Sequence, residues 1–174
     1  MRHLTIILLV LFVLLSANEA KAKSPIVVGI KIGNKAPEIV ENSVSNHPLN
    51  LSSLAGKIVL IDFWASWCRP CRNESPFLLT AYEKYKDASF KGGKGFTVFS
   101  ISLDKDANAW KKAIQDDHMT WESHVGILNS MPEYIKIYEI RSIPTNFLID
   151  GNGVILAINL RGEALEKMLA SLKK

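Results

Sequence analysis

The sequence predicts an α/β fold in which a mixed central β-sheet is flanked by helices. Two observations carry this prediction. Dense apolar segments rich in β-branched and aromatic residues alternate with segments of helical periodicity, and the last two apolar segments flank the tripeptide Gly-Asn-Gly. Strands that alternate with helices favour a sheet covered on its faces, and Gly-Asn-Gly between two strands is typical of a β-hairpin.

The first half of the chain predicts short strands, one buried strand and one helix. Residues 24–50 lack helical periodicity and contain Gly33, Pro37 and Pro48, which is typical of a lead-in with short N-terminal strands. The run KIVLIDFWA at residues 57–65 is typical of a strand buried on both faces. Helical spacing of apolar residues follows in residues 76–85, and Pro76 predicts a kink in that helix.

The second half continues the alternation. Residues 96–103 predict a second buried strand, and an amphipathic helix is expected to begin near the acidic DKD at residues 104–106. Ser130 and Glu133 have the spacing of a capping box, which predicts another helix start. Residues 145–150 and 154–159 are the predicted hairpin strands. A terminal helix presents one apolar face, formed by Leu165, Met168, Leu169 and Leu172.

The N-terminus predicts export from the cytoplasm. Arg2 and His3 precede an apolar run at residues 4–15, and Ala20-Lys21-Ala22 resembles a cleavage site. A membrane-spanning helix needs about 20 apolar residues, so a retained N-terminal anchor is the less favoured alternative. We therefore expect a signal peptide at residues 1–22, a lead-in at residues 23–34 and one domain at residues 35–174. Disulfides persist in the compartments that such a leader indicates.

The charge pattern disfavours nucleic acid as a partner. The chain carries a net charge of +4, and its charged residues are dispersed. The one cluster, KGGKG at residues 91–95, has no interleaved aromatic residues for stacking bases and no Ser or Thr after its second lysine to hold a phosphate-bound magnesium ion. We interpret it as a flexible turn.

The two cysteines of the chain, Cys68 and Cys71, form a Cys-x-x-Cys pair. As a structural staple this pair closes so small a loop that the chain-entropy gain is only about 2 kcal/mol. A zinc site lacks further ligands, because the expected mature chain offers only His47, His118 and His124, none in the paired spacing of zinc modules. We interpret His118 and His124 as helix-end or loop residues. Attachment of a c-type haem requires histidine where Arg72 stands.

A redox role fits the position of the pair. A Cys-x-x-Cys at the start of a helix places its first sulfur at the helix N-terminus, where backbone N–H groups stabilise a thiolate. Cys68 is therefore the expected exposed nucleophile, and Cys71, one turn further on, is placed to resolve the mixed disulfide. Pro70 fixes the turn between them. Arg69 is either a charge that lowers the pKa of the nucleophile or a solvated side chain of small effect.

Several segments together resemble one family. The stretch DFWASWCRPC, the later IRSIPT, the lead-in IGNKAPEI, the segment SISLD and the closing IPTNFLIDGNGVILAIN are similar to the thioredoxin superfamily, in particular to its extracytoplasmic TlpA/ResA-type branch. The resemblance covers roughly residues 32–174 and implies a thioredoxin-like fold. It also implies dithiol-disulfide exchange with protein substrates and a cis-proline at Pro144 beside the cysteine pair.

The resemblance assigns further residues. Asp62 matches the buried acid of thioredoxin. An unpaired ionised carboxylate inside so apolar a strand would be costly, so the carboxyl group has to be protonated, hydrogen-bonded or solvated. Glu74, one turn after Cys71, matches an acid of ResA-type proteins, although a favourable charge near a helix start is the alternative. The predicted catalytic set is Cys68, Cys71, Asp62, Glu74 and Pro144. The predicted substrate-docking set is Trp67, Arg69, Pro70 and Ile143.

Thiol peroxidases and copper chaperones share the thioredoxin-like fold. Thiol peroxidases of this fold carry a proline at the place of Ile61, so peroxidase activity is disfavoured. Soft thiolates also bind Cu(I), which leaves a copper chaperone as the non-enzymatic alternative. The sequence thus favours a monomeric extracytoplasmic thiol-disulfide oxidoreductase, acting as a reductase without a metal or cofactor. Its expected electron donor is a membrane thiol transporter of the DsbD/CcdA kind.

Overall fold

A five-stranded mixed sheet forms the centre of the protein. The computed structural model describes residues 27–128 and 131–174, and the sheet has the strand order β7-β6-β3-β8-β9. Strands β3, β6 and β7 are parallel, whereas β8 and β9 run antiparallel to their neighbours, so the predicted mixed sheet is confirmed. The strands are β1 (Val40–Asn42), β2 (Pro48–Asn50), β3 (Ile58–Trp64), β4 (Ser89–Phe90), β5 (Gly93–Lys94), β6 (Phe96–Ser102), β7 (His124–Gly126), β8 (Thr145–Ile149) and β9 (Ile155–Ile158).

The described part of the chain has four α-helices and one short 3-10 helix (Leu51–Leu54) beside the sheet. The α-helices are α1 (Arg69–Tyr85), α2 (Ala107–Asp116), α3 (Glu133–Ile137) and α4 (Glu163–Leu172). Pro76 lies inside α1, as predicted. Asp106 caps α2 by accepting hydrogen bonds from two backbone N–H groups, so the predicted start of this helix is also confirmed. Helix α3 begins at Glu133 after Pro132, and Ser130 of the expected capping box lies outside the described residues.

Alternation along β3 divides the core into two layers. Every residue of β3 is buried, as the apolar run predicts. Leu60 and Trp64 face a cluster that includes residues of α1, α2 and α4, while Ile61 and Phe63 face a cluster on the opposite side that includes residues of α3. Successive side chains of a strand point to opposite faces, so Asp62 faces the side of α1 and α4.

The turn at residues 91–95 is packed, and the prediction of a flexible turn is wrong. It joins β4 to β5, and its backbone is bonded to three other segments. Lys91 N–H donates to the carbonyl of Leu172 (2.9 Å), Gly92 accepts from Gly151 N–H (2.7 Å), and Lys94 N–H donates to Gly56 (2.8 Å). A Cβ at Gly93 would lie 2.8 Å from the Gly56 oxygen, so the glycines permit close backbone packing here.

Strand β7 corrects the interpretation of His124. The sequence placed this residue at a helix end or in a loop, but it begins β7 and is 6% exposed. Its ring stacks on Trp121 with 5.3 Å between the ring centroids, and burial lowers the pKa of His124 to about 4. His118, by contrast, follows the end of α2 in a turn, as expected.

The lead-in lies along the edge of the sheet. Lys35 forms a bridge with Val154, and Gly33 N–H donates to the carbonyl of Ile155 at 2.8 Å. These contacts cover the beginning of β9 and, together with the β1-β2 pair, form the expected N-terminal strand additions. None of the helices within residues 27–128 and 131–174 is long and apolar enough to cross a membrane.

Candidate redox site

The cysteine pair lies where β3 passes into α1. Cys68 is the N-cap residue of α1, and its sulfur accepts a hydrogen bond from Cys71 N–H with 3.2 Å between sulfur and nitrogen. The two sulfurs are joined in a disulfide. The expected position of the first sulfur at a helix N-terminus is therefore confirmed, and this is the position at which the helix dipole stabilises a thiolate after reduction.

Both cysteines are covered, which corrects the expectation of an exposed Cys68. The exposed fraction is 5% for Cys68 and 4% for Cys71, and both belong to the cluster on the α1 side of the sheet. The reason is local. The backbone N–H of Cys68 donates to the carbonyl of Ala65, and its sulfur is bonded to the equally buried Cys71, so both ends of the residue are held against the protein.

A buried carboxylate holds the loop in front of Cys68. Asp104, which is 2% exposed, accepts hydrogen bonds from Ser66 N–H (2.8 Å), from the Ser66 hydroxyl (2.6 Å) and from the Ser102 hydroxyl (2.6 Å). Ser66 lies two residues before Cys68. A carboxylate that accepts several hydrogen bonds forms strong, oriented contacts, so Asp104 fixes the approach of the chain to the disulfide.

The two arginines beside the pair differ in their partners. Arg69 is exposed to solvent, which favours the interpretation of a solvated side chain of small effect. Arg72 donates to the Asp117 carboxylate through both Nε and Nη2, and its Nη1 donates to the Ser66 carbonyl at 3.2 Å. The charge of Arg72 is thus neutralised by Asp117 in a two-point ion pair and serves to join α1 to the end of α2.

Asp62 lies in β3, on the side of the sheet that also holds the disulfide, and is 7% exposed. Burial raises the pKa of Asp62 from 3.8 to about 7, the positive charge of Arg161 opposes this rise, and the negative charge of Glu74 adds to it. The carboxyl group therefore exchanges its proton near neutral pH. This agrees with the expectation that a carboxyl in this strand is protonated unless it is compensated.

Asp62 belongs to a row of buried polar residues that crosses the sheet. Its register partners are Ser100 in β6 and Asn146 in β8, and Ser100 is in turn paired with His124 in β7. All four side chains are buried. Because register partners lie on the same face, the row runs beneath α1 and α4 and places polar groups on both sides of the acid.

Glu74 reaches the start of a different helix. Its Oε2 accepts a hydrogen bond from the backbone N–H of Gly162, the N-cap residue of α4, at 2.7 Å. The alternative interpretation made Glu74 a favourable charge near the start of its own helix. In the structure its carboxylate instead binds the start of α4. Glu74 also lies near enough to Asp62 to raise its pKa, as expected for two acids on one side of the pair.

The predicted docking residues surround the disulfide unevenly. The Ile143-Pro144 peptide bond is cis, as predicted. Trp67 is 68% exposed and Pro70 is also exposed, whereas Ile143 is partly buried and packs against both apolar clusters. Trp64, the other tryptophan near the pair, is a core residue. Trp67 is therefore an exposed apolar side chain next to the cysteine pair, and its role in docking stays a prediction.

Comparison with known proteins gives the family. A sequence model described as Thioredoxin-like matches residues 56–155. The chain belongs to the thioredoxin-like family. It is 29% identical over 140 residues to the thiol-disulfide oxidoreductase ResA of Bacillus thuringiensis subsp. konkukian, covering 80% of this chain and 75% of that protein. It is 30% identical over 133 residues to the thioredoxin-like protein YneN of Bacillus subtilis, covering 76% and 74%.

A solved structure agrees with these relatives. The thioredoxin domain of a thiol-disulfide oxidoreductase from Bacteroides vulgatus superposes with a TM-score of 0.74 at 33% identity, covering 82% of this chain and 98% of that one. Together with these relatives, the thioredoxin-like fold and the Cys-x-x-Cys pair of this chain identify it as a thiol-disulfide oxidoreductase. The expected fold and class of enzyme are thus confirmed.

The sequence did not indicate three residues that this thioredoxin-like site uses. Asp104 holds the loop before Cys68, Asn146 neighbours Asp62 across the sheet, and Arg161 donates to the carbonyl of Pro144. A polar residue inside the buried strand TNFLI was a usable signal for Asn146, because such a side chain requires partners. Within residues 27–128 and 131–174, no three His, Cys, Asp or Glu side chains gather as a metal-binding set.

Proposed function

We propose that the protein is an extracytoplasmic reductase of protein disulfides. The observation that carries this proposal is the pair of interacting carboxyl groups, Asp62 and Glu74, on the α1 side of the sheet, the side that also holds the Cys68–Cys71 disulfide; the acid in β3 has a pKa of about 7. It is supported by the similarity to thiol-disulfide oxidoreductases such as ResA.

The reaction consists of two exchange steps. The Cys68 thiolate attacks one sulfur of a client disulfide, which forms a mixed disulfide and releases the other client sulfur as a thiolate that takes up a proton. Asp62 then accepts the proton of the Cys71 thiol, and Cys71 attacks the sulfur of Cys68. The second client sulfur leaves as a thiolate and is protonated. Two electrons pass from the dithiol to the client, and the Cys68–Cys71 disulfide remains.

The direction follows from the charges around the pair. A strongly oxidising pair is one whose reduced form is stabilised, as in DsbA. Here Glu74 follows Cys71 by one helical turn and Asp62 lies on the same side of the sheet, and negative charges disfavour a second negative charge on a neighbouring thiolate. On the other side Arg72 is paired with Asp117 and Arg69 is solvated. The two acids thus disfavour a thiolate at Cys71, and the thiolate of Cys68 has the helix N-terminus but no unpaired arginine to stabilise it, which favours the pair as an electron donor.

A redox titration tests the direction. Equilibration of the purified protein with glutathione or dithiothreitol buffers should give a potential near about −270 mV, as in thioredoxin, and far from the about −120 mV of DsbA. Asp62→Asn should shift the potential upward, and Asp87→Asn, which changes an exposed acid after α1, should leave it unchanged. A parent potential close to that of DsbA rejects the reductase and favours an oxidant.

The compartment is proposed from the leader. A mature chain that begins near Lys23 meets clients outside the cytoplasm, such as misoxidised proteins or apocytochromes, and receives electrons from a membrane thiol transporter. We expect it to act as a monomer. Intact-mass spectrometry of the protein from the extracytoplasmic fraction, after acid quenching and thiol alkylation, should show a chain without residues 1–22. An unprocessed chain in the membrane fraction indicates the N-terminal anchor instead.

A further inference from the structure

The segment at residues 160–162, between β9 and α4, is held on both sides. The side-chain amide of Asn146 donates to the Leu160 carbonyl and accepts from Leu160 N–H, both at 2.9 Å. Two residues later, Glu74 accepts from Gly162 N–H at 2.7 Å. Asn146 is the register partner of Asp62, and Glu74 lies one turn after Cys71. The residue between these two anchors is therefore fixed relative to the redox site.

That residue is Arg161, and its guanidinium reaches the cis-proline loop. Its Nη2 donates to the carbonyl of Pro144, and its Nη1 donates to the carbonyl of Leu160 at 2.7 Å. One side chain thus joins the start of α4 to the loop that carries Ile143 and Pro144. A planar guanidinium makes two such bonds at once in a fixed geometry, which a lysine ammonium cannot reproduce.

The charge of Arg161 also acts on the buried acid. The charged groups that act on Asp62 are Arg161, from the segment before α4, and Glu74, from α1. The strands on either side contribute the uncharged Asn146 and Ser100. After reduction, the Cys71 thiol is the further titratable group on the α1 side. Burial raises the pKa of Asp62 and Arg161 lowers it, so removal of the Arg161 charge should raise this pKa further.

We propose that Arg161 is a positioning residue of thiol-disulfide exchange, which fixes the Pro144 carbonyl for client docking and supplies the positive charge that acts on Asp62. The inference depends on the exchange activity of the family and is independent of the proposed direction and compartment. It assigns one side chain two separable effects, one through hydrogen-bond geometry and one through charge.

Two substitutions separate these effects. Arg161→Met removes the bonds and the charge, and Arg161→Lys keeps the charge but loses the planar fork. With a model protein disulfide, both variants should raise KM on the order of tenfold, the size expected for loss of a charged hydrogen bond. Only Arg161→Met should also move upward the pH midpoint of resolution, measured by stopped flow, because Asp62 then binds its proton more tightly.

Arg141 provides the matched control. It precedes Pro144 by three residues, its side chain is 89% exposed, and its nearest acidic oxygen, on Glu139, is 3.9 Å away. Arg141→Met should retain the KM and the pH midpoint of the parent. Parental KM in Arg161→Lys overturns the role of the guanidinium geometry, and a parental midpoint in Arg161→Met overturns the role of the charge. Should Arg161→Met fail to fold, Arg161→Lys together with Arg161→Gln decides both points.

The test is independent of the redox titration. If the pair proves to be oxidising, the same KM and pH profiles are measured with a reduced client peptide and the oxidised protein. A failure of the proposed reductase function then leaves the effect of Arg161 measurable. A thioredoxin-like potential of the parent, combined with parental KM and pH midpoint in the Arg161 variants, overturns only the role proposed for Arg161.

Discussion

Cys71→Ser is expected to accumulate mixed disulfides with client proteins, whereas Cys68→Ser is expected to accumulate none. The sulfur of Cys68 lies at the N-cap of α1 and accepts the N–H of residue 71, so it is the sulfur whose thiolate is stabilised. Serine at position 71 keeps that N–H and removes only the thiol that resolves the intermediate. Attack therefore proceeds and release stops.

The measurement is non-reducing electrophoresis of the two single variants after thiol alkylation, followed by mass spectrometry of the trapped species. The double variant Cys68→Ser/Cys71→Ser is the control for disulfides formed elsewhere. Adducts that form through Cys71 in the Cys68→Ser protein, and not in the Cys71→Ser protein, reverse the assignment of nucleophile and resolver.

The parts of the fold that could be predicted from the sequence are those with a local signal. Strand β3 is a seven-residue run that is apolar except for Asp62, and α1 follows it with Cys68 at its N-cap and Cys71 in its first turn. Position in the chain is enough to place Cys68 at a helix N-terminus. Strand β7 has only three residues, His124–Gly126, so its pattern does not differ from that of a loop. Its burial comes from packing between β6 and the β1 segment.

The missed site residues are separated widely along the chain from the groups they hold. Ser66 and Asp104 are 38 residues apart, and Glu74 and Gly162 are 88 apart. No periodicity relates such pairs, because the fold brings them together: the parallel pairing of β3 with β6 joins the first pair, and the packing of α1 against α4 joins the second. The sequence therefore indicated Asp62 and Glu74 as unusual acids, but not that Glu74 bonds α4 or that Arg161 lies opposite them.

The largest effect on a single step is expected from Asp62→Asn, which should slow resolution by Cys71 on the order of 100-fold and affect the initial attack much less. The carboxylate is the base that takes the Cys71 proton, and positioned bases contribute about 10²-fold to 10⁴-fold. With a pKa of about 7, Asp62 gives the parent a resolution rate that rises as pH increases through neutrality. The asparagine variant should lack this rise.

Glu74→Gln should act on the same step through Asp62. Removing the negative charge of Glu74 lowers the pKa of Asp62, so the midpoint of the resolution profile should move downward. Asp62 becomes a weaker base, and resolution above the midpoint should slow. The shift is opposite in sign to that expected for Arg161→Met. The double variant Asp62→Asn/Glu74→Gln should lose less than the sum of the single effects, because both act on one proton.

The same acid makes the fold sensitive to pH. Between pH 3.8 and about 7 the carboxyl of Asp62 is protonated in the folded protein and ionised in the unfolded chain. The folded state then binds more protons, so stability falls as pH rises through this window and the loss is complete above about pH 7. The difference between the two pKa values corresponds to at most about 4 kcal/mol. Asp62→Asn removes this loss and should stabilise the oxidised protein at pH 8, with little change at pH 3.

Stopped-flow turnover and urea unfolding are measured between pH 3 and pH 8 for the parent, Asp62→Asn, Glu74→Gln and the double variant. The role of Asp62 is thereby tested by two independent measurements. Slower resolution combined with greater stability at pH 8 is the result expected when a base is kept in a buried position at the expense of the fold. Asp87→Asn is the control for loss of an exposed carboxylate and should alter neither measurement. Strictly additive losses, or a Glu74→Gln profile that coincides with the parent, would restrict Glu74 to its bond with Gly162 and leave Asp62 as the only acid in proton transfer.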